Sequence, residues 1–166
     1  MTGPLDHAER VVADVLDPEL PQLTLADLGI VRRVTIEDDT VVVVVTPTYS
    51  GCPAMTEIQV DIQRQLRVAG YPKVAVRLQL DPPWTTDWIT DDGRRKLQAA
   101  GITPPAESAP RDGPVPLTLG RRPPDVRCPR CRSTDTQELS RFGATACRAL
   151  YRCRACAETF DYMKAI

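Results

Sequence analysis

Val41–Glu57 reads VVVVVTPTYSGCPAMTE. Five successive valines predict a strand, because β-branched side chains pack well on a pleated surface. No polar residue alternates with them, so the strand is expected to be buried on both faces, as a central strand is. Pro53 suits the first helical position, where its missing N–H would have no partner anyway. The segment therefore reads as buried strand, short loop and helix, with Cys52 as the expected N-cap. A thiol there meets free backbone N–H groups and the positive end of the helix dipole, and both favour thiolate. Thiolate attacks electrophiles and binds soft metals. Gly51 permits a tight turn or a close approach of backbone to ligand. The competing reading of Cys52 is a small apolar residue, inert at a strand–helix corner.

Upstream, Leu5, Ala8, Val12, Val15 and Leu16 recur at helical spacing and predict an amphipathic helix over residues 5–16. Asp17-Pro18 ends it, since a residue before proline avoids the helical region. DPELPQLTLADLG (residues 17–29) follows as a structured loop. Ile30–Ile36 and Val41–Thr46 read as strands, joined by a turn at Glu37-Asp38-Asp39. Downstream, Met55, Ile58, Ile62, Leu66 and Ala69 form a helical stripe, with Gly70 as its cap. Val74, Val76, Leu78 and Leu80 alternate with polar neighbours and predict a strand with one buried face. The order helix, strand, strand, helix, strand, with a strand–helix–strand crossover, indicates an α/β domain over residues 1–90.

The chain then changes character. Asp91–Ala100 reads as a short helix capped by Gly101. Residues 102–125 hold seven of the sixteen prolines and no hydrophobic period, so 91–125 is expected to be a short helix followed by a linker of partly polyproline character. Trp84 and Trp88 either pin this stretch to the domain or stand as exposed anchors for a partner protein.

Residues 126–166 form a separate module. Cys128-Pro-Arg-Cys131 and Cys153-Arg-Ala-Cys156 are two CxxC pairs with 21 residues between them. Each can make a tight turn that points two sulfurs at one ion, and two such turns close a tetrahedral four-sulfur site. The module is too small to bury much core, so bound metal must supply folding energy. Leu139, Phe142, Leu150, Tyr151, Phe160 and Tyr162 are its expected apolar layer. Structural zinc at Cys128, Cys131, Cys153 and Cys156 is the leading reading, and a dithiol redox pair the weaker one. Glycine often follows the second cysteine of such a turn, whereas Arg132 and Ala157 stand here. Cys147 is either a buried small residue or a spare ligand that would let an iron–sulfur cluster replace zinc. The whole chain is thus read as α+β, a helix–strand–strand–helix–strand domain with a C-terminal zinc ribbon.

The chain has 166 residues, is 42% hydrophobic and carries a net charge of -1. That charge points to no nucleic-acid partner. No apolar run reaches the roughly 20 residues needed to cross a bilayer, and MTGPLDHAER lacks a secretory apolar core. A cytoplasmic location is expected, where six cysteines indicate metal or redox chemistry rather than disulfides. His7 is the only histidine, and there is no GxGxxG, GxxxxGK[ST] or HExxH motif. Asp17, Glu19, Asp27 and Glu57 flank loops that could converge near Cys52 as iron ligands, against a default of capping and turn roles. The valine-rich strand and small core are compatible with a homodimer.

DPELP, DLG, TPTYSGCPAM and DPPWTTDWIT, followed by CPRC, FGATACRALYRCRAC and FDYMK, resemble the PaaD (PaaJ) family of phenylacetate-CoA oxygenase subunits. Residues 1–90 alone resemble the wider metal–sulfur cluster assembly domain, similar to SufT. There a motif like Asp17-Pro18-Glu19 and a loop cysteine like Cys52, with Thr48 in the same loop, mark the cluster-handling site. The resemblance implies a setting in aerobic phenylacetate breakdown. A multicomponent di-iron monooxygenase epoxidises phenylacetyl-CoA there, fed by an iron–sulfur reductase. It implies a non-catalytic factor that matures an iron or iron–sulfur centre, holding zinc and, transiently, iron or a cluster.

Overall fold

A two-residue turn sets the register of the first sheet. Asp38 and Asp39 both have positive φ, 45° and 62°, the mirror-image geometry that matches the twist of a tight hairpin. They join β1 (Val31–Glu37) to β2 (Thr40–Val45) antiparallel, with Glu37 opposite Thr40. The computed structural model describes residues 3–49, 51–106 and 124–165. It divides into two compact units, one ending at Ala100 and one over Gly101–Ala165.

In the first unit, α2 (Ala54–Val68) carries the chain from β2 to β3 (Val74–Leu78), which pairs parallel to β2. The sheet order β1-β2-β3 puts the valine strand in the centre. Its five valines are 0–6% exposed, so both faces are covered as expected. Glu37 on β1 and Arg77 on β3 form an ion pair at 3.3 Å, one from each strand flanking β2. The α2 stripe buries Met55, Ile58, Ile62 and Leu66, and Gly70 follows the helix with φ 97°. β3 departs from its expected cover. Leu78 and Leu80 are 51% and 62% exposed, because β3 is an edge strand with a neighbour on one side only.

α1 spans Pro4–Ala13 and stops three residues before the predicted end. Backbone pairing displaces its last turn: Leu16 bridges Thr24, and the Leu25 N–H donates to the Val15 carbonyl at 2.8 Å. The loop that follows feeds the core with Leu20, Leu23, Leu25 and Leu28, all at most 4% exposed.

The same loop is clasped from downstream. Trp84 Nε1 donates to the Leu28 carbonyl at 2.8 Å, and the Arg32 guanidinium lies 3.6 Å above the Trp88 ring. Gly29, at φ 66°, sits so close to Trp88 that a Cβ would fall 2.5 Å from its carbonyl oxygen. Trp84 is 3% exposed and Trp88 half-buried. The tryptophans are therefore internal pins, and the exposed-anchor reading is corrected. α3 (Asp91–Ala99) is capped by the Thr90 hydroxyl, which accepts from Gly93 N–H. Glycine is costly in a helix, but here it lets α3 approach the Asp27 carbonyl, 2.7 Å from where a Cβ would sit.

The second unit is a four-stranded sheet in the order β4-β7-β6-β5. Its strands are β4 (Ile102–Thr103), β5 (Thr136–Ser140), β6 (Arg148–Cys153) and β7 (Thr159–Met163). β4 corrects the linker reading at its start, since Ile102 and Thr103 are buried and pair parallel with β7. Two residues are too few to show a period. Most of the proposed linker, residues 107–123, lies outside the described residues. The core is Val126, Ala149, Tyr151, Phe160 and Tyr162 around the cysteines. Leu139 and Phe142 were expected there but are 50% and 69% exposed. Leu139 sits at a register shift between Glu138 and Ser140, and Phe142 lies beyond the end of β5.

Asp27 carries the first test. Burial raises its pKa, but hydrogen bonds from Lys96 (2.8 Å) and from Thr24 outweigh this and hold it below the ordinary carboxylate value. The ionised form therefore stabilises the fold above about pH 4, and that contribution fades as pH falls through the lower folded value. Asp27→Asn is expected to cost about 1 kcal/mol at pH 7, the low end for a charged hydrogen bond because Lys96 is partly solvated. Urea unfolding at pH 7 and pH 3 checks this, with the gap between variant and wild type closing at the lower pH.

Candidate metal centre and loop thiol

Each CxxC turn is built by backbone hydrogen bonds around its cysteines. Arg132 N–H donates to the Cys128 carbonyl at 2.9 Å and Cys128 N–H to Ser133 at 3.0 Å. In the second turn Cys153 N–H donates to Glu158 at 2.8 Å. The turns are tied together by Arg130 and Glu158, 2.8 Å apart. They bring four sulfurs into one group, with Cys128–Cys156 at 3.7 Å, Cys131–Cys153 at 3.5 Å and all four within 4.8 Å. A tetrahedron with metal–sulfur bonds of about 2.3 Å puts its sulfurs roughly 3.8 Å apart. The spacing thus fits one ion. A cluster, whose cysteines bind separate irons, would spread them wider.

The four thiols are electrostatically unequal. Burial raises Cys153, but the N–H groups of Cys156 and Ala155 and the Cys131 thiol bring it to about 7. Glu158 N–H lowers Cys156, yet burial and the neighbouring thiols push it up to about 12. A cation is what allows all four to ionise together, with release of protons. Cys128 and Cys153 are buried, while Cys131 is exposed, so the site is walled by core on one side. Cys147 is outside this group. It is buried at the start of β6, its sulfur 3.0 Å from the Thr145 hydroxyl. The spare-ligand reading is not supported by that placement.

Arg132 and Ala157 have φ 61° and 62°. They follow the second cysteine of each turn and adopt the left-handed conformation that glycine takes without strain. The absence of glycine at these two positions therefore does not change the turn, only its cost.

The second candidate is the loop from β2 to α2. β2 and β3 are parallel, so this loop lies beyond their carboxyl ends, where open α/β sheets place ligands. Cys52 is half-buried. Its expected capping role is corrected: Pro53 is the N-cap, with helical dihedral angles and no side-chain cap, and Cys52 precedes it. The Cys52 carbonyl, not its thiol, opens the helix by accepting from Met55 N–H at 3.2 Å. Thr48 in the same loop is half-buried. Thr46 is fully buried, and its hydroxyl has no hydrogen-bond partner. Its loop sequence offered no sign of this, because a threonine ending a valine strand reads as ordinary strand composition.

The acids are placed elsewhere in purpose. Asp17 is buried and its carboxylate accepts from Glu19 and Leu20 N–H at 2.9 and 2.8 Å, closing a turn. Glu19 is half-buried and Glu57 exposed. Asp27 is occupied by Lys96. Among the described residues none of these groups with Cys52 as a set of metal ligands. His7 pairs with the Tyr71 hydroxyl at 3.0 Å. Among the described residues no helix is long and apolar enough to cross a membrane.

Two family descriptions match the chain: iron–sulfur cluster assembly protein over residues 6–80, and PaaD zinc beta ribbon domain over residues 112–164. An Escherichia coli (strain K12) protein provisionally named as a subunit of 1,2-phenylacetyl-CoA epoxidase is 47% identical over 156 residues, covering 94% of this chain and 90% of that protein. A crystal structure of a domain of unknown function, DUF59, from Bacillus anthracis is 26% identical, with a TM-score of 0.51 over 56% of this chain and 90% of its own. A conserved hypothetical protein from Thermotoga maritima is 30% identical, with a TM-score of 0.48 over 58% of this chain and 95% of its own.

The turn geometry makes a stability prediction. Arg132→Gly and Ala157→Gly should each stabilise the metal-loaded second unit by about 1 kcal/mol, the left-handed penalty of a side chain. Thermal unfolding of the single variants checks this, and an unchanged or lower midpoint would contradict it.

Proposed function

The chain belongs to the PaaD family of phenylacetyl-CoA epoxidase subunits, and from that premise we propose that it is a non-catalytic accessory factor. It serves the monooxygenase that epoxidises the ring of phenylacetyl-CoA in phenylacetate catabolism, by maturing an iron or iron–sulfur centre. The observation that carries this reading is the separation of two kinds of thiol. Cys128, Cys131, Cys153 and Cys156 form a closed four-sulfur group, whereas Cys52 stands half-buried and alone at the carboxyl ends of parallel strands.

Zinc is the metal assigned to the closed group. Four thiolates in a tetrahedral arrangement suit it, and its binding supplies folding energy on the order of 10 kcal/mol. Its role is structural. Cys52 offers one sulfur, so iron or a cluster held there needs further ligands from a partner or a second chain. Such cargo is weakly held, as delivery requires. Thr48, Asp17 and Glu19 are carried as members of the same site by resemblance. The solitary thiol and the cluster-assembly match over residues 6–80 support the reading together. The clients proposed are the monooxygenase components, including the iron–sulfur reductase, in the cytoplasm.

A second reading is a stoichiometric, non-catalytic component of the oxygenase complex. The name of the Escherichia coli relative, which makes it part of an epoxidase, favours it. With Trp84 buried, attachment would fall to the ribbon. Full activity of an enzyme reconstituted with preloaded metals and without this chain would exclude that reading.

Protein purified without oxygen should carry one zinc per chain and no stoichiometric acid-labile sulfide. Cys128→Ser or Cys153→Ser should lose the zinc and unfold the ribbon. A brown protein whose sulfide disappears in those variants would overturn the zinc assignment. In cells, Cys52→Ala should lower monooxygenase activity and the cluster content of the reductase while leaving zinc in place. If both stay at wild-type level, Cys52 handles no metal.

A further inference from the structure

The ribbon has a feature that its metal site does not use. On the core face of its sheet lies a pocket of about 530 Å³, within the size range of sites that hold small ligands or side chains. Its floor is Ala149, Tyr151 and Tyr162, all at most 5% exposed, and Val126 forms one wall. The floor is dry and aromatic, which suits an apolar group.

The topology gives the pocket two ends. β6 runs antiparallel to both β5 and β7, so the end of β5, the start of β6 and the end of β7 gather at one place. The cysteine turns lie at the opposite end. The first end is held by Lys164, whose N–H donates to the Cys147 carbonyl at 2.9 Å and whose Nζ donates to the Arg141 carbonyl at 3.2 Å. Arg141 and Lys164 both line the pocket here, and among the described residues neither side chain is in an ion pair. Phe142, 69% exposed, lies 5.0 Å beneath the Lys164 ammonium. The acid nearest the floor, Glu138, already accepts from the Tyr151 hydroxyl at 3.0 Å. Asp125 lines the pocket from the segment beside the first cysteine turn. Two cations without acidic partners thus border an aromatic floor and an exposed phenylalanine.

We propose that this pocket docks an acidic segment of a partner protein, with an apolar side chain over Tyr151 and Tyr162 and a carboxylate on Arg141 and Lys164. The choice of a protein partner rests on the accessory-factor reading. Charge complementarity selects the acidic chemistry. A nucleic acid is disfavoured, because two cations neutralise few phosphates and Asp125 opposes them.

The test is a phage-displayed library of random 12-residue peptides, panned on the zinc-loaded full chain. Sequences pairing Asp or Glu with a large apolar residue should be enriched. In ¹H–¹⁵N spectra the leading peptide should perturb Arg141, Tyr151, Tyr162 and Lys164. Arg141→Glu combined with Lys164→Glu should weaken its binding about tenfold or more, and Arg141→Gln with Lys164→Gln less, both with zinc content intact. No enrichment, enrichment of neutral or basic sequences, or perturbation confined to the first unit would overturn the proposal. So would tighter binding of single-stranded DNA at these residues, or a concentration-dependent dimer abolished by the charge reversal. Cys52→Ala should select the same peptides, so a failure of the maturation reading leaves this result distinct.

Discussion

Five adjacent valines with no polar side between them must be enclosed from every direction. The first unit meets that demand by placing β2 between two strands of opposite sense. β1 arrives through a two-residue hairpin, and β3 arrives through a helix. An antiparallel neighbour needs almost no chain, but a parallel one needs a crossover. The loop bearing Cys52 exists because of that crossover. Its position at the strands' carboxyl ends is thus a by-product of burying β2, available to chemistry at no extra structural cost.

The second unit answers a different shortage. Its core is a handful of residues, of which Val126, Tyr151, Phe160 and Tyr162 are the larger, and it depends on four cysteines from two turns. Strands β6 and β7 converge on those turns, so the sheet and the sulfur group order each other. Arg132 and Ala157 show how strongly the sulfur geometry dominates. Both are forced into a conformation that their side chains resist, and the turns form regardless.

What was legible in the sequence followed periodicity and spacing. The valine run, the α2 stripe and the paired CxxC motifs each repeat at an interval that one structure satisfies. What escaped was decided by contacts distant in sequence. The early end of α1 depends on Leu16 and Val15 pairing with Thr24 and Leu25. β4 is too short to have a pattern. Leu139 and Phe142 look like core by composition, but a register shift and a loop expose them. Pro53 displaced Cys52 from the cap because it adopts the helical dihedral itself. The unsatisfied Thr46 hydroxyl left no mark at all, since only a full account of its surroundings reveals it.

The clasp between residues 24–32 and 84–96 also bears on how the chain is made. Trp84 reaches back 56 residues to Leu28, and Lys96 reaches back 69 to Asp27. During synthesis the sheet and both of its helices leave the ribosome before either contact can form. Domains tend to fold as units in the order they emerge, and this one stays open until α3 is free of the exit tunnel. In that interval the leucine-rich loop lacks its tryptophan cover. The stretch in which a growing chain is most exposed to chaperones and proteases therefore lies between the end of β3 and the end of α3.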